Sequence, residues 1–319
     1  MTKTDPRVKI FDVLFPRLAV PDLGLAEEFL SALGLVPVER TERQLFLRGT
    51  GSANHIYVAE LGEPRFIGMA FTVTDEEDLH RLAKLPEASA VHELDEPGGG
   101  RRVTLTEPNG YRIEVIHGMA PREPLVVPPL LSNSALVPAQ RIGVGPWGPD
   151  QPPHAWRFGH AVQKTEKFGE TMAWYQNTLG LVPSDFGDNG EGEINGVFLC
   201  PDGGGRWVDH HCLQIAAIPQ SGWHHVSFEV QNWSEVFEGA AYLAKQGRYK
   251  VWGSPQRHLV GGQVGIYVSD PWGRLHEFWS DGDRLDNTHK PRTWAMADMI
   301  DGPLWGEAPD FDFFMQVAP

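Results

Sequence analysis

Short segments in which apolar and polar residues alternate, interrupted by two helical patterns, fill the first part of the chain. The predicted strands are 15–20, 44–48, 54–60, 66–73, 101–106 and 111–116, and the predicted helices run from Asp22 to Leu33 and onward from Asp75. The motif LGLVP occurs at 33–37 and again at 179–183, each time directly after an amphipathic helix that its glycine ends. This recurrence predicts an internal repeat.

An alignment of the two halves of the chain extends the repeat. The matching segments are 16–20 with 159–162, 54–56 with 210–212, 66–73 with 223–230, and 107–114 with 270–277. Each half divides again into two strand-helix-strand-strand-strand units. We therefore expect an α+β fold of two domains, each a pair of βαβββ modules. The predicted boundaries are 1–118 for the first domain, 119–153 for a Pro-rich linker, 154–282 for the second domain, and 283–319 for a C-terminal tail.

One predicted hairpin in the second half places polar groups on a single face. A strand at 264–269 runs into the turn sequence DPWG, whose proline and glycine suit a three-residue loop with a bulge. In that register Tyr267 faces Glu277 across the hairpin. A two-residue turn would place Ile266 there instead, and a hairpin whose polar face is merely solvated is a further alternative.

Composition and charge narrow the class of protein. Of the 319 residues, 41% are hydrophobic, which is enough for two cores of ordinary size. Charged residues interrupt the first twenty positions and later apolar runs are short, so no signal peptide or membrane span is predicted. Two cysteines cannot form a disulfide framework, and we expect a cytoplasmic protein. A formal net charge of −15 argues against nucleic acid or anionic membrane as partner and favours a small substrate.

Three aligned positions differ between the halves in a way that bears on chemistry. His160, His225 and Glu277 of the second half align with Arg17, Gly68 and Glu114 of the first. Two histidines and one carboxylate are the ligand set of non-haem Fe(II) oxygenases, and Mn(II) suits the same ligands. Because arginine does not ligate metals, we expect the first half to be metal-free. The period of two places His225 on the open face of its strand and His224 with the apolar side chains, as a packed or hydrogen-bonded histidine.

These residues resemble the extradiol ring-cleavage dioxygenases of the vicinal-oxygen-chelate superfamily, in particular the two-domain type that includes catechol 2,3-dioxygenase and 2,3-dihydroxybiphenyl 1,2-dioxygenase. The resemblance covers residues from about 12 to 282 and rests on the segments GHAV, DHHCLQIA, HHVSF, RHLVGGQVGIYVSDPWG and DPWGRLHE. It implies that His160, His225 and Glu277 hold the metal, that His211 is the acid-base residue, and that His258 and Tyr267 bind the substrate oxygen. His210 is interpreted as structural.

The resemblance also implies a function. We expect extradiol cleavage of a catechol-type aromatic by O2 at a single Fe(II), with Mn(II) as the alternative metal, in a homo-oligomer. A hydroxyphenylpyruvate-type dioxygenase is one alternative, since it shares the three ligands but does not need His211, His258 and Tyr267. A non-catalytic binding protein built on the same modules is another.

Two groups of aromatic residues remain open to two interpretations. Trp156, Trp174, Phe186 and Trp207 suit either a substrate pocket or the core. The tail carries Trp294, Trp305 and the cluster Phe311–Phe314, which are too apolar for a solvated end. We expect the tail to cover the mouth of the second domain, with Arg284, His289 and Arg292 near the substrate, or to form an arm on a neighbouring subunit.

Overall fold

The computed structural model of the chain describes residues 7–129, 131, 133–137, 139–143, 151–301, 303–307, 309 and 311–318. Part of the predicted linker and the side chain of Phe311 lie outside this description. The described residues form two large mixed sheets, one from each half of the chain. The predicted α+β fold of paired βαβββ modules is confirmed.

The first sheet has eight strands, and two helices pack on it. The strands are β1 (Asp12–Val20), β2 (Val36–Arg40), β3 (Gln44–Arg48), β4 (Tyr57–Leu61), β5 (Arg65–Thr72), β6 (His92–Glu93), β7 (Arg101–Thr106) and β8 (Arg112–His117). Their spatial order is 2-3-4-1-5-8-7-6, so the first strand of each module lies at the centre. The helices α1 (Leu23–Ala32) and α2 (Glu76–Leu82) each follow one of these central strands.

The second half repeats this plan and adds elements from the tail. Its strands are β9 (Ala155–Thr165), β10 (Leu181–Asp188), β11 (Ile194–Pro201), β12 (Val208–Asp209), β13 (Leu213–Ala217), β14 (Gly222–Val230), β15 (Val251–Arg257), β16 (Val264–Ser269), β17 (Leu275–Ser280), β18 (Arg284–Leu285) and β19 (Thr293–Ala295). Its helices are α3 (Phe168–Leu179), α4 (Trp233–Gln246), α5 (Met296–Asp301) and α6 (Phe311–Met315). The large sheet has the order 15-16-17-14-9-13-11-10-19, and β12 pairs separately with β18.

The repeated LGLVP motif has the same conformational role in both halves. Gly34 and Gly180 follow α1 and α3 with φ of +88° and +70°, a left-handed conformation that ends a helix without the cost of a Cβ. At the start of α1 the Asp22 carboxylate accepts hydrogen bonds from the backbone N–H groups of Gly24 and Leu25. Local sequence therefore determines where these helices begin and end.

The hairpin of β16 and β17 has the predicted register. Tyr267 pairs with Glu277, and the pairing continues without a shift from Val264 to Ser269. Gly273 has φ of +84°, and its N–H donates to the Asp270 carbonyl at 2.9 Å. The three-residue loop is confirmed, and the tyrosine and the glutamate share one face of the sheet.

The two halves pack against each other through aromatic side chains. Phe66 stacks on Trp223 with ring centroids 3.7 Å apart, and the Tyr57 hydroxyl lies 3.2 Å from His276 Nε2. The buried apolar residues of both halves form one continuous cluster. Within the described part of the chain, every helix is too short or too polar to cross a bilayer.

Candidate metal centre and substrate cavity

Three neighbouring strands of the second sheet bring two histidines and a glutamate together. His160 lies on β9, His225 on β14 and Glu277 on β17. His160 Nε2 is 3.4 Å from His225 Nε2 and 3.1 Å from Glu277 Oε2, and His225 Nε2 is 3.6 Å from the same oxygen. All three side chains are buried. Among the described residues, this is the one such group whose ligating atoms converge.

The electrostatics of this group fit a divalent cation. Burial lowers the pKa of His225 well below its ordinary value, so the imidazole is neutral and a nitrogen lone pair is available. Burial opposes charge on Glu277, but His160, His258 and the Ser227 hydroxyl outweigh it and hold the pKa of the carboxyl below its usual range. Glu277 Oε1 is buried without a hydrogen-bond donor in the described residues. A buried carboxylate with an unsatisfied oxygen, beside two imidazoles, is suited to Fe(II) or Mn(II).

Two small residues hold Glu277 in this position. The Ser227 hydroxyl donates to Glu277 Oε2 at 2.5 Å across β14 and β17. Gly265 lies on β16 beside the carboxylate, and a Cβ at that position would be 2.5 Å from Glu277 Oε1. The glycine therefore leaves the space that the carboxylate occupies.

A β-bulge at the start of β14 directs His224 as well as His225 towards the cavity. Trp223 and His225 pair with consecutive residues of β9, so His224 is the extra residue of the bulge. Its Nδ1 lies 2.7 Å from His225 Nδ1, and its Nε2 donates to the Phe313 carbonyl oxygen at 2.9 Å. The expected placement of His224 with the apolar side chains is wrong, because simple alternation fails at a bulge. The expectation of a hydrogen-bonded histidine is confirmed.

His211 lies beside the metal ligands, and its ring contacts the ring of the preceding residue, His210. Its ring centroid is 4.3 Å from that of His160, and its Nδ1 is 3.1 Å from His210 Nδ1. His210 Nε2 in turn donates to Asp185 Oδ2 at 3.3 Å. Burial lowers the pKa of His211 well below its ordinary value, so the free enzyme has a neutral imidazole with one nitrogen able to accept a proton.

His258 and Tyr267 lie beside Glu277 and His225. The Tyr267 hydroxyl is 3.2 Å from His258 Nε2, and that nitrogen is 3.6 Å from Glu277 Oε1. The ring centroid of Tyr267 is 5.1 Å from that of His225. Burial and the nearby Glu277 raise the pKa of Tyr267 well above its ordinary value. The phenol therefore stays protonated and can donate a hydrogen bond.

A cavity of about 170 Å³ opens directly onto these residues. Its polar lining includes His160, His211, His225, His258 and Tyr267. Its apolar lining includes Phe198, Ile218, Val260, Met296, Met299 and Met315. Lys164 lies on the same face of β9 as His160, four residues along, and also lines the cavity. Such a cavity accommodates a small aromatic ring with its polar edge towards the metal ligands.

The structure decides which aromatic and basic residues named from the sequence lie at the cavity, and the expectation for Arg284, His289 and Arg292 is wrong. Trp156, Trp174, Phe186 and Trp207 do not line the cavity; Trp174 and Phe186 pack against the core, which is one of the two interpretations, while Trp156 is partly and Trp207 largely exposed. Arg284 pairs with Asp209, His289 donates to the Ser184 carbonyl, and neither they nor Arg292 line the cavity. The period of two from His160 could have identified Lys164. The methionines of the tail carry no comparable signal, because the tail lacks a regular hydrophobic period.

Residues 157–278 match the model of the glyoxalase/bleomycin resistance protein/dioxygenase superfamily. The chain is 28% identical to Metapyrocatechase 2 of Cupriavidus necator over 310 residues, covering 96% of this chain and 91% of that protein. The match spans most of the predicted second domain, which carries the three candidate metal ligands. The resemblance to extradiol ring-cleavage dioxygenases that the sequence predicted is confirmed.

Two solved structures have the same fold as this chain. The Mn(II)-bound glyoxalase from Novosphingobium aromaticivorans superimposes with a TM-score of 0.78 at 20% identity, covering 98% of this chain and 96% of that chain. Homoprotocatechuate 2,3-dioxygenase from Arthrobacter globiformis superimposes with a TM-score of 0.77 at 17% identity, covering 98% and 93%. These likenesses establish the two-domain arrangement of paired modules, and a shared fold does not by itself determine the chemistry.

Proposed function

We propose that this chain is an extradiol dioxygenase, which cleaves a catechol-type aromatic with O2 at one Fe(II) held by His160, His225 and Glu277. The observation that carries the proposal is the convergence of the three ligating atoms within 3.6 Å of one another beside a largely apolar cavity. The similarity to Metapyrocatechase 2 along nearly the whole chain supports it. The centre fits the ligand set with which Fe(II) enzymes leave adjacent positions open.

The metal, when bound, would supply Lewis acidity and the electron chemistry by which O2 reacts. The protein residues around it have separate tasks. His211 accepts a proton from the diol and later returns it, since its neutral imidazole faces the cavity and its Nδ1 is held by His210. Tyr267 and His258 line the same cavity and donate hydrogen bonds that fix the orientation of a substrate oxygen. The apolar walls exclude water from the reacting ring.

This set of residues favours extradiol cleavage over the two alternatives. A hydroxyphenylpyruvate-type enzyme would need the three ligands but not an acid-base histidine and a tyrosine-histidine pair beside them. A binding protein would not need a group of buried metal ligands, because an apolar pocket with a few polar groups is sufficient for affinity. Here all six side chains surround one cavity or its base.

The proposal is tested with a panel of substituted catechols, first mixed with the Fe(II)-loaded protein under anaerobic conditions and then exposed to O2. We expect about one metal per chain, a change in the catechol absorption on binding, and a yellow ring-opened product only after oxygen enters. Product analysis should show cleavage beside the two hydroxyls and both atoms of ¹⁸O2 incorporated. Mn(II)-loaded protein in parallel identifies which metal supports turnover.

The matched control is Glu277→Gln, which keeps the shape of the side chain but removes its charge. We expect it to lose metal and activity together. Cleavage between the two hydroxyls, or turnover of hydroxyphenylpyruvate but of no catechol, would contradict the proposed function.

A further inference from the structure

The last described residues of the chain lie against the metal centre and not on a distant surface. Phe313 of α6 is fully buried, with its ring centroid 4.8 Å from that of Tyr267 and 4.9 Å from that of His224. The Lys164 ammonium donates to the carbonyls of Phe314 and Gln316. These contacts hold α6 as a wall of the cavity.

A second set of contacts anchors the segment after α6. Trp223 and Ala318 exchange two backbone hydrogen bonds, with N···O distances of 2.9 and 2.8 Å. Trp223 directly precedes the bulge that carries His224. The end of the chain is therefore attached to the strand that carries one of the metal ligands.

A chain of two hydrogen bonds connects this segment to that ligand. His224 Nε2 is 2.9 Å from the Phe313 carbonyl oxygen, and His224 Nδ1 is 2.7 Å from His225 Nδ1. Since a carbonyl only accepts, His224 Nε2 carries the hydrogen. A neutral imidazole has one N–H, so His224 Nδ1 is bare and accepts from the Nδ1–H of His225. His225 Nε2 is then left with its lone pair, and this is the atom that faces His160 and Glu277.

We propose that His224 is a positioning residue that, together with the Phe313 carbonyl, selects the tautomer and ring orientation of His225 required for metal binding. Ligand histidines generally donate their second N–H to a carboxylate, carbonyl or water, which fixes the tautomer. In this chain His224 accepts the second N–H of the ligand His225, and the N–H of His224 is itself held by the Phe313 carbonyl of α6. The inference rests on the proposed function only in taking His225 as a metal ligand.

The test measures tautomer and metal affinity in the full chain without any catechol. In metal-free protein with ¹⁵N-labelled histidine, NMR should show His225 protonated at Nδ1. Titration with Mn(II) against a chromophoric chelator then gives the affinity. For His224→Phe, which removes both hydrogen bonds, we expect the Nδ1–H preference to be lost and Mn(II) to bind about 10- to 100-fold more weakly, the usual effect of losing an outer partner of a ligand.

Two further variants distinguish a positioning role of His224 from a general disturbance of the fold. His224→Asn retains an acceptor and a donor, so most of the lost affinity and the Nδ1–H signature should return. His210→Phe is the matched control, because it replaces a buried histidine that backs His211 and not a metal ligand. We expect it to bind Mn(II) as the natural chain does.

The ¹⁵N measurement on the natural full chain decides the matter if His224→Phe does not fold. Natural Mn(II) affinity in the folded His224→Phe protein, or Nε2 protonation of His225 in the natural chain, would refute the proposal. Failure of the natural chain to cleave catechols, with these metal results intact, would refute only the proposed function.

Discussion

Each half of the chain buries a glutamate at the equivalent position, but the two glutamates have different partners. In the first half Glu114 accepts from Arg17 Nε at 2.8 Å, and the same guanidinium bonds Glu60 at 3.0 Å and Glu96 at 2.8 Å. In the second half Glu277 faces two imidazoles that hold no compensating charge of their own when neutral. The first half supplies its cation from the chain, and the second leaves that place for a metal.

The aligned histidines near the two glutamates also differ, because only the one in the second half opens onto a cavity. His55 aligns with His211, but it lies between Phe15 and Phe46, with ring centroids at 4.5 and 5.3 Å. Burial, together with the neighbouring Arg17, lowers the pKa of His55 to about 3. His211 opens onto the cavity instead. A shared module thus becomes a site only where polar atoms are left open to a ligand.

The largest effect is expected when the second half is made to resemble the first. In His160→Arg the guanidinium can pair with Glu277 as Arg17 does with Glu114, so it should take the place of the metal. We expect no bound iron and no measurable ring cleavage in a folded protein, checked by metal analysis, circular dichroism and product formation. Stoichiometric iron in this variant would show that the two glutamate sites are not equivalent.

The next effect concerns His211, which lines the cavity of the second half, whereas its counterpart His55 is packed in the first half. His211→Phe should keep the metal, because His211 is not a ligand, but turnover should fall by about 10²- to 10⁴-fold, the usual contribution of acid-base catalysis. Anaerobic catechol titration measures substrate binding to the metal-loaded variant, and steady-state kinetics measures its turnover. His55→Phe is the control in the first half and should leave turnover unchanged, while unchanged turnover in His211→Phe would remove that residue from the mechanism.

Breaking the ionic cluster of the first half should reduce stability rather than activity. Arg17→Met leaves Glu114 buried without its main partner, and we expect a loss of about 3–5 kcal/mol in the free energy of unfolding. Denaturant titration measures it. Arg112→Met removes a partly exposed partner of the same cluster and should cost less than about 1 kcal/mol. Equal losses in both variants would show that burial of the guanidinium does not decide the effect.

The smallest effect is on the dependence of stability on pH. Burial opposes ionisation of Glu114, but Arg17, Arg102 and Arg112 outweigh it and hold its pKa below the ordinary value of 4.5. A carboxyl whose folded pKa is depressed stabilises the protein above its unfolded pKa, and this contribution disappears as the pH falls through the folded value. The Tm of the natural chain should therefore fall as the pH is lowered below about 4.5. Glu114→Gln should show a shallower fall, and a parallel fall would exclude this origin.

Local patterns were sufficient for much of the fold and for the ligand set. The helix ends at Gly34 and Gly180 and the register of Tyr267 with Glu277 follow from neighbouring residues, because turn chemistry and the period of two act over a few positions. The difference between the halves pointed to His160 and His225. The predicted domain boundaries and the roles of the catalytic residues stay predictions.

The sequence by itself therefore determined the repeated modules, their strand register and the residues available for metal binding. Tertiary structure decided the direction of His224, because a bulge depends on how β14 pairs with β9, a partner more than fifty residues away in the chain. It also decided that α6 forms a wall of the cavity, since the Lys164 ammonium and the Phe314 carbonyl meet only after the tail has packed on the second domain. Contacts of this range are governed by shape and burial, which leave no period in the tail sequence.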